Sequence, residues 1–123
     1  FTLSVRIYRT TDFFSRPYLH SITTEGQRGY GIQAVDKDHS LSQGARMIIN
    51  IVTKNDSRLI NIVVNCGSNT LAEALIHYQI HYSTEEFKNF ASKIRVFENG
   101  SQDNSGKAKS GLLRVVVQFH GWD

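Results

Sequence analysis

Only one cysteine, Cys66, occurs among the 123 residues, so no internal disulfide can form and no zinc centre can be built from several thiolates. Low cysteine usage favours a reducing compartment, and we expect an intracellular protein of cytoplasm or nucleus. No apolar run approaches the ~20 residues that a membrane-spanning helix needs, so no membrane contact is expected. Proline occurs once, as Pro17. The glycines of "GQRGYG" (Gly26, Gly29, Gly31) lack the Gly-Lys-Ser/Thr or G-x-G-x-x-G spacing of a phosphate loop.

Charge of one sign is scarce too. The formal net charge is +3 with a pI near 9.2. The local basic excess is confined to Lys107, Lys109 and Arg114, and the remaining basic residues are interleaved with acids. That pattern permits weak nucleic-acid contact, but not the basic stripe of a dedicated binder. The sequons Asn55-Asp56-Ser57 and Asn99-Gly100-Ser101 fall in turn-like stretches and read as chance.

What is present is a globular composition, 40% hydrophobic and 20% charged, of single-domain length. The chain opens on Phe1 and closes on Asp123, so we expect residues 1–123 to be one domain excised from a longer chain. Residues 98–111, "ENGSQDNSGKAKSG", carry almost nothing that builds a core, and 99–111 reads as a mobile internal loop.

Most of the apolar signal alternates. "TLSVRIY" sets Leu3, Val5 and Ile7 against polar neighbours, and "LLRVVVQF" does the same with Leu113, Val115, Val117 and Phe119. "RGYGIQAV" aligns Tyr30, Ile32 and Ala34, and "RLINIVVNC" places Ile60, Ile62, Val64 and Cys66 on a core face. The turn residues "KNDS" before that run signal a hairpin. Residues 41–54 fit a helix through Leu41, Ala45, Ile48 and Val52, but their β-branched density favours a strand from residue 45. One helix is expected at "STEEFKNFASKIRVF", with Ser83 and Glu86 as a capping box and Phe87, Phe90, Ala91 and Ile94 as its stripe. "SNTLAEAL" reads as no more than a short helical turn.

The expected fold is therefore α+β and mainly β: a small antiparallel barrel or sandwich of about seven strands, with one helix before the last strand. The runner-up is a split α+β sheet in which residues 41–54 form a second helix.

Candidate chemistry is thin. "IHYQIHY" alternates Ile76, Tyr78, Ile80 and Tyr82 with His77, Gln79 and His81, which predicts a strand. On a strand the two histidines would lie ~13 Å apart, too far to share a zinc; on a helix they would stand one turn apart. No metal, cofactor or catalytic residue is therefore expected. Cys66 reads as a buried, inert thiol. "AVDKDHS" (Asp36, Asp38, His39) reads as a solvated turn, and the terminal "HGWD" is too near the chain end for a rigid site.

The pattern favours a non-catalytic interaction domain that binds a protein partner. Its expected surface is Arg9, Phe13, Phe14, Arg16 and Tyr18, because only one of two adjacent aromatics can be buried by alternation, and because interfaces favour aromatics with arginine. The alternative is a nucleic-acid-binding domain that stacks bases on Phe14 or Tyr18. A third reading is a metal-independent RNase or other hydrolase using His20, His77 or His81 as acid and base.

Overall fold

The computed structural model of the protein describes residues 14–35 and 41–98. Within them the chain runs through α1 (Arg16–Ser21), a 3-10 turn (Ile32–Ala34), α2 (Gln43–Val52) and β1 (Ile60–Val64). It continues through α3 (Asn69–His81), α4 (Thr84–Ser92) and β2 (Ile94–Glu98). The two strands pair in parallel, with Ile60 opposite Ile94 and Val64 opposite Glu98. A parallel pair needs a long crossover, and α3 followed by α4 supplies it. The mainly-β antiparallel barrel or sandwich is thus overturned: the described residues are helix-rich, with two short parallel strands in an open sheet.

Three segments account for the correction. Residues 41–54 form α2, capped by Ser42, whose hydroxyl accepts from the Ala45 amide at 3.2 Å. Helical spacing buries Ala45 and Val52 and half-buries Ile48 and Ile49, along a helix that packs on α3. A β-branched residue costs a helix only a few tenths of a kcal/mol, whereas burying one gives about 1.5–3 kcal/mol, so packing outweighs propensity.

"IHYQIHY" is the end of α3, not a strand. Ile76/Ile80, His77/His81 and Tyr78/Tyr82 make a four-residue repeat. Four is a multiple of two and lies close to 3.6, so the alternation does not separate strand from helix. The residues before it decide, because Leu71, Leu75 and Tyr78 are buried at i, i+4 and i+7.

The expected last helix is shorter than its stripe suggests. α4 stops at Ser92, and Ile94 and Val96 are buried on either side of exposed Arg95 as β2. Its start matches the sequence reading. The Ser83 hydroxyl accepts from the Glu86 amide at 3.2 Å, and the Glu86 carboxylate accepts from the Ser83 amide at 2.9 Å.

Smaller corrections follow the same logic. Gly31 has φ +68, a left-handed value that ends any strand in "RGYGIQAV" and leads into the 3-10 turn. "KNDS" joins α2 to β1 instead of two strands. Cys66 lies beyond the end of β1 and is exposed, not on the core face. The segments around Leu3 to Ile7, Asp36 to His39, 99–111 and Leu113 to Phe119 lie outside the described residues.

The core sits between the strand pair and the helices. Val52, Val64, Leu71, Leu75, Tyr78, Phe90, Ala91, Ile94 and Val96 form one cluster, flanked by Ile48, Ile49, Ile60, Ile62 and Phe87. The Tyr78 ring stacks on Tyr82 at 4.0 Å and on Phe90 at 4.1 Å, which ties α3 to α4.

Candidate functional site

An open groove of about 720 Å³ runs along α2, where the segment after α1 lies against it. Its apolar members are Ile22, Met47 and Ile51; Gln43, Arg46 and Asn50 supply polar groups from successive turns of α2, and Lys54 supplies one from just beyond its end. Such a volume, with apolar lining and a few convergent polar groups, is what small-ligand sites have. Thr24 Oγ1 meets Met47 Sδ at 3.8 Å, and the Gly44 amide donates to the Glu25 carbonyl at 2.8 Å, so residues 24 and 25 are fastened to α2. A Cβ on Gly44 would come within 3.1 Å of Gly26 Cα, which is why the helix can approach so closely there.

Beside the groove is a polar notch of about 300 Å³, lined by residues 25–28 and 41–43. Arg28 donates to both oxygens of Glu25, at 2.6 and 2.7 Å, and these bonds hold the Glu25 carboxyl below the usual carboxylate range. The pair is exposed and contributes little to stability.

A buried polar seam supports both depressions. Asn69 Nδ2 donates to the Gly29 carbonyl at 2.6 Å, and Thr70 Oγ1 accepts from the Gln27 amide at 3.0 Å. Glu73, itself buried, accepts from the Ser42 amide at 3.1 Å and the Ser42 hydroxyl at 2.6 Å. The seam lies where β1 hands the chain to α3. In open α/β sheets ligands bind at this carboxyl end of the strands. These polar groups are satisfied by protein, so their work is to pin residues 25–31 and the start of α2.

Of the sequence-expected interaction residues, Arg9 and Phe13 lie outside the described residues. Phe14, Arg16 and Tyr18 are all exposed on or beside α1, which is capped by Ser15 through the Tyr18 amide at 3.3 Å. Phe14 is 70% and Tyr18 45% exposed, and their rings lie 4.8 Å apart. α1 ends at Ser21, and its C-cap residue Ile22 lines the groove, so the chain passes from this aromatic pair to the groove lining within a few residues.

The structure also reverses the histidine geometry. His77 and His81 stack at 4.0 Å on α3, whereas His20 stands on α1. No group of three or more His, Cys, Asp or Glu residues forms a metal cage among the described residues. Lys107, Lys109 and Arg114 lie outside them.

Sequence reasoning missed Gln43, Arg46, Met47 and Asn50, because a strand reading splits them between two faces. Their signal was helical: positions 43, 46, 47, 50, 51 and 54 recur every three or four residues, behind a serine that can cap.

Comparison with known proteins bears on what this surface meets. Residues 5–110 match the model of a family described as cellulose-binding Sde182, nucleoside hydrolase-like domain. One solved structure is described as a nucleoside hydrolase-related hypothetical protein from Saccharophagus degradans that is associated with carbohydrate metabolism. It is 38% identical over 76% of this chain, with a TM-score of 0.68. The chain spans 23% of that protein's length. Among curated proteins none matches. The comparisons support the expectation of a binding module but not its protein partner, since the family description names cellulose and neither comparison names a protein partner. The match covers most of the sequence, and the chain belongs to the Sde182 nucleoside hydrolase-like domain family.

Proposed function

We propose that this chain is a non-catalytic carbohydrate-binding unit that holds a β-glucan such as cellulose along the α1–α2 face. The observation that carries the reading is the amphipathic groove on α2, together with the exposed Phe14–Tyr18 pair that precedes groove-lining Ile22 in the chain. A pyranose ring has apolar C–H faces and a hydroxyl edge. Aromatic and aliphatic side chains take the faces, and planar amide and guanidinium groups take the edge. Phe14, Tyr18, Ile22 and Met47 fit the first role; Gln43, Arg46 and Asn50 fit the second. The family's description and the carbohydrate association of the Saccharophagus degradans protein support the same ligand class.

Depletion from solution by microcrystalline cellulose tests this, with soluble cello-oligosaccharides as competitors. The wild type should be retained and released by competitor. Tyr18→Ala should weaken retention by about fivefold, roughly 1 kcal/mol, and Arg46→Ala and Asn50→Ala should do likewise with helical circular dichroism intact. Absence of retention, or retention indifferent to all three changes, would sink the proposal. Release of reducing sugar would overturn its non-catalytic part.

A further inference from the structure

We propose that His77 and His81 form a two-histidine chelate on α3 for a borderline divalent transition metal, with Cu²⁺ preferred and Ni²⁺ and Zn²⁺ weaker. The two residues stand one turn apart on a helix, where i and i+4 side chains face one another. Their rings are stacked, with centroids 4.0 Å apart and planes 23° from parallel. Imidazole lone pairs lie in the ring plane, so the near-parallel stack does not itself aim two nitrogens at one ion; the rings turn out of the stack to chelate, as histidines four apart on a helix can.

The hydrogen bonding prepares the donor atoms. His81 Nδ1 lies 2.9 Å from the His77 backbone carbonyl. A carbonyl oxygen only accepts, so Nδ1 carries the proton and Nε2 keeps its lone pair. Metal-binding histidines are commonly oriented in this way, with one ring nitrogen donating to a carbonyl while the other ligates.

No third protein ligand completes the site among the described residues. Water fills the remaining positions of a two-nitrogen chelate, and metal preference follows the order Ni²⁺ < Cu²⁺ > Zn²⁺. Glu73, one turn earlier, is engaged with Ser42 and belongs to the packing of α2 on α3.

The test is calorimetric titration of tag-free protein with Cu²⁺, Ni²⁺ and Zn²⁺, paired with electron paramagnetic resonance of the copper form. Saturable binding of one Cu²⁺ with nitrogen hyperfine splitting is expected, tighter than Ni²⁺ or Zn²⁺. His77→Ala and His81→Ala should each weaken it by about 10–100-fold or more, because losing a ligand costs no less than losing an outer-shell partner. His20→Ala should leave it unchanged, and His77→Gln, which fills the same space, should behave as His77→Ala. Absence of saturable binding would overturn the site, as would binding that survives the loss of either α3 histidine or falls equally with His20→Ala.

Discussion

At the scale of single residues, side chains that satisfy a backbone end are as informative as those in the core. Ser83 and Glu86 exchange hydrogen bonds at the start of α4, and Glu86 also accepts from the Ser83 hydroxyl at 2.8 Å. The Ser83 amide and then its hydroxyl hold the Glu86 carboxyl below the usual carboxylate range. A carboxyl whose folded pKa is depressed stabilises above its unfolded pKa, and that contribution is lost as pH falls through the folded value. Ser83→Ala should cost about 1 kcal/mol in urea unfolding at neutral pH. Its deficit relative to wild type should shrink once the pH drops below the carboxylate range; a deficit constant with pH would contradict the role assigned to Glu86. This capping box was fully legible in the sequence, because it depends only on residues three apart.

At the scale of elements, the outcome turned on the packing of helix pairs, which local rules left open between helix and strand. α2 carries enough β-branched residues to pass for a strand, and its helical state rests on a face that packs against α3. The anchor of that contact is Glu73, which receives both the amide and the hydroxyl of Ser42 across 31 residues of sequence. Glu73→Ala should lower stability by about 1–3 kcal/mol, since it strands a Ser42 donor in a partly buried place, and Glu73→Gln should cost less because one acceptor survives. Equal effects of the two changes in equilibrium unfolding would argue that only side-chain volume matters there. The same long-range link explains why the groove residues of α2 were not legible: once 41–54 is taken as a strand, Gln43, Arg46, Met47 and Asn50 no longer share a surface. Phe14 and Tyr18 were legible as an aromatic surface because their exposure follows from local crowding of apolar residues around Pro17.

Across the whole molecule, the parallel pair and its two-helix crossover make one shared core, with Leu75 fully buried at its centre. Leu75→Ala should therefore cost about 2–5 kcal/mol, with helical circular dichroism and core-aromatic signals lost in one transition. Two separated transitions would mean that the helices and strands do not depend on a common core. The sequence by itself determined the cap of α4, the strand character of Ile60 to Val64, the single thiol and the aromatic run at α1. Each is decided within a few residues by hydrogen-bond reach or side-chain spacing. Only the tertiary structure decided that 41–54 and "IHYQIHY" are helical, that β1 pairs in parallel with β2, and that His77 and His81 stand 4.0 Å apart. A four-residue repeat satisfies both periods, and β-branched residues tolerate both states for a few tenths of a kcal/mol each, so the choice falls to the burial that distant partners provide.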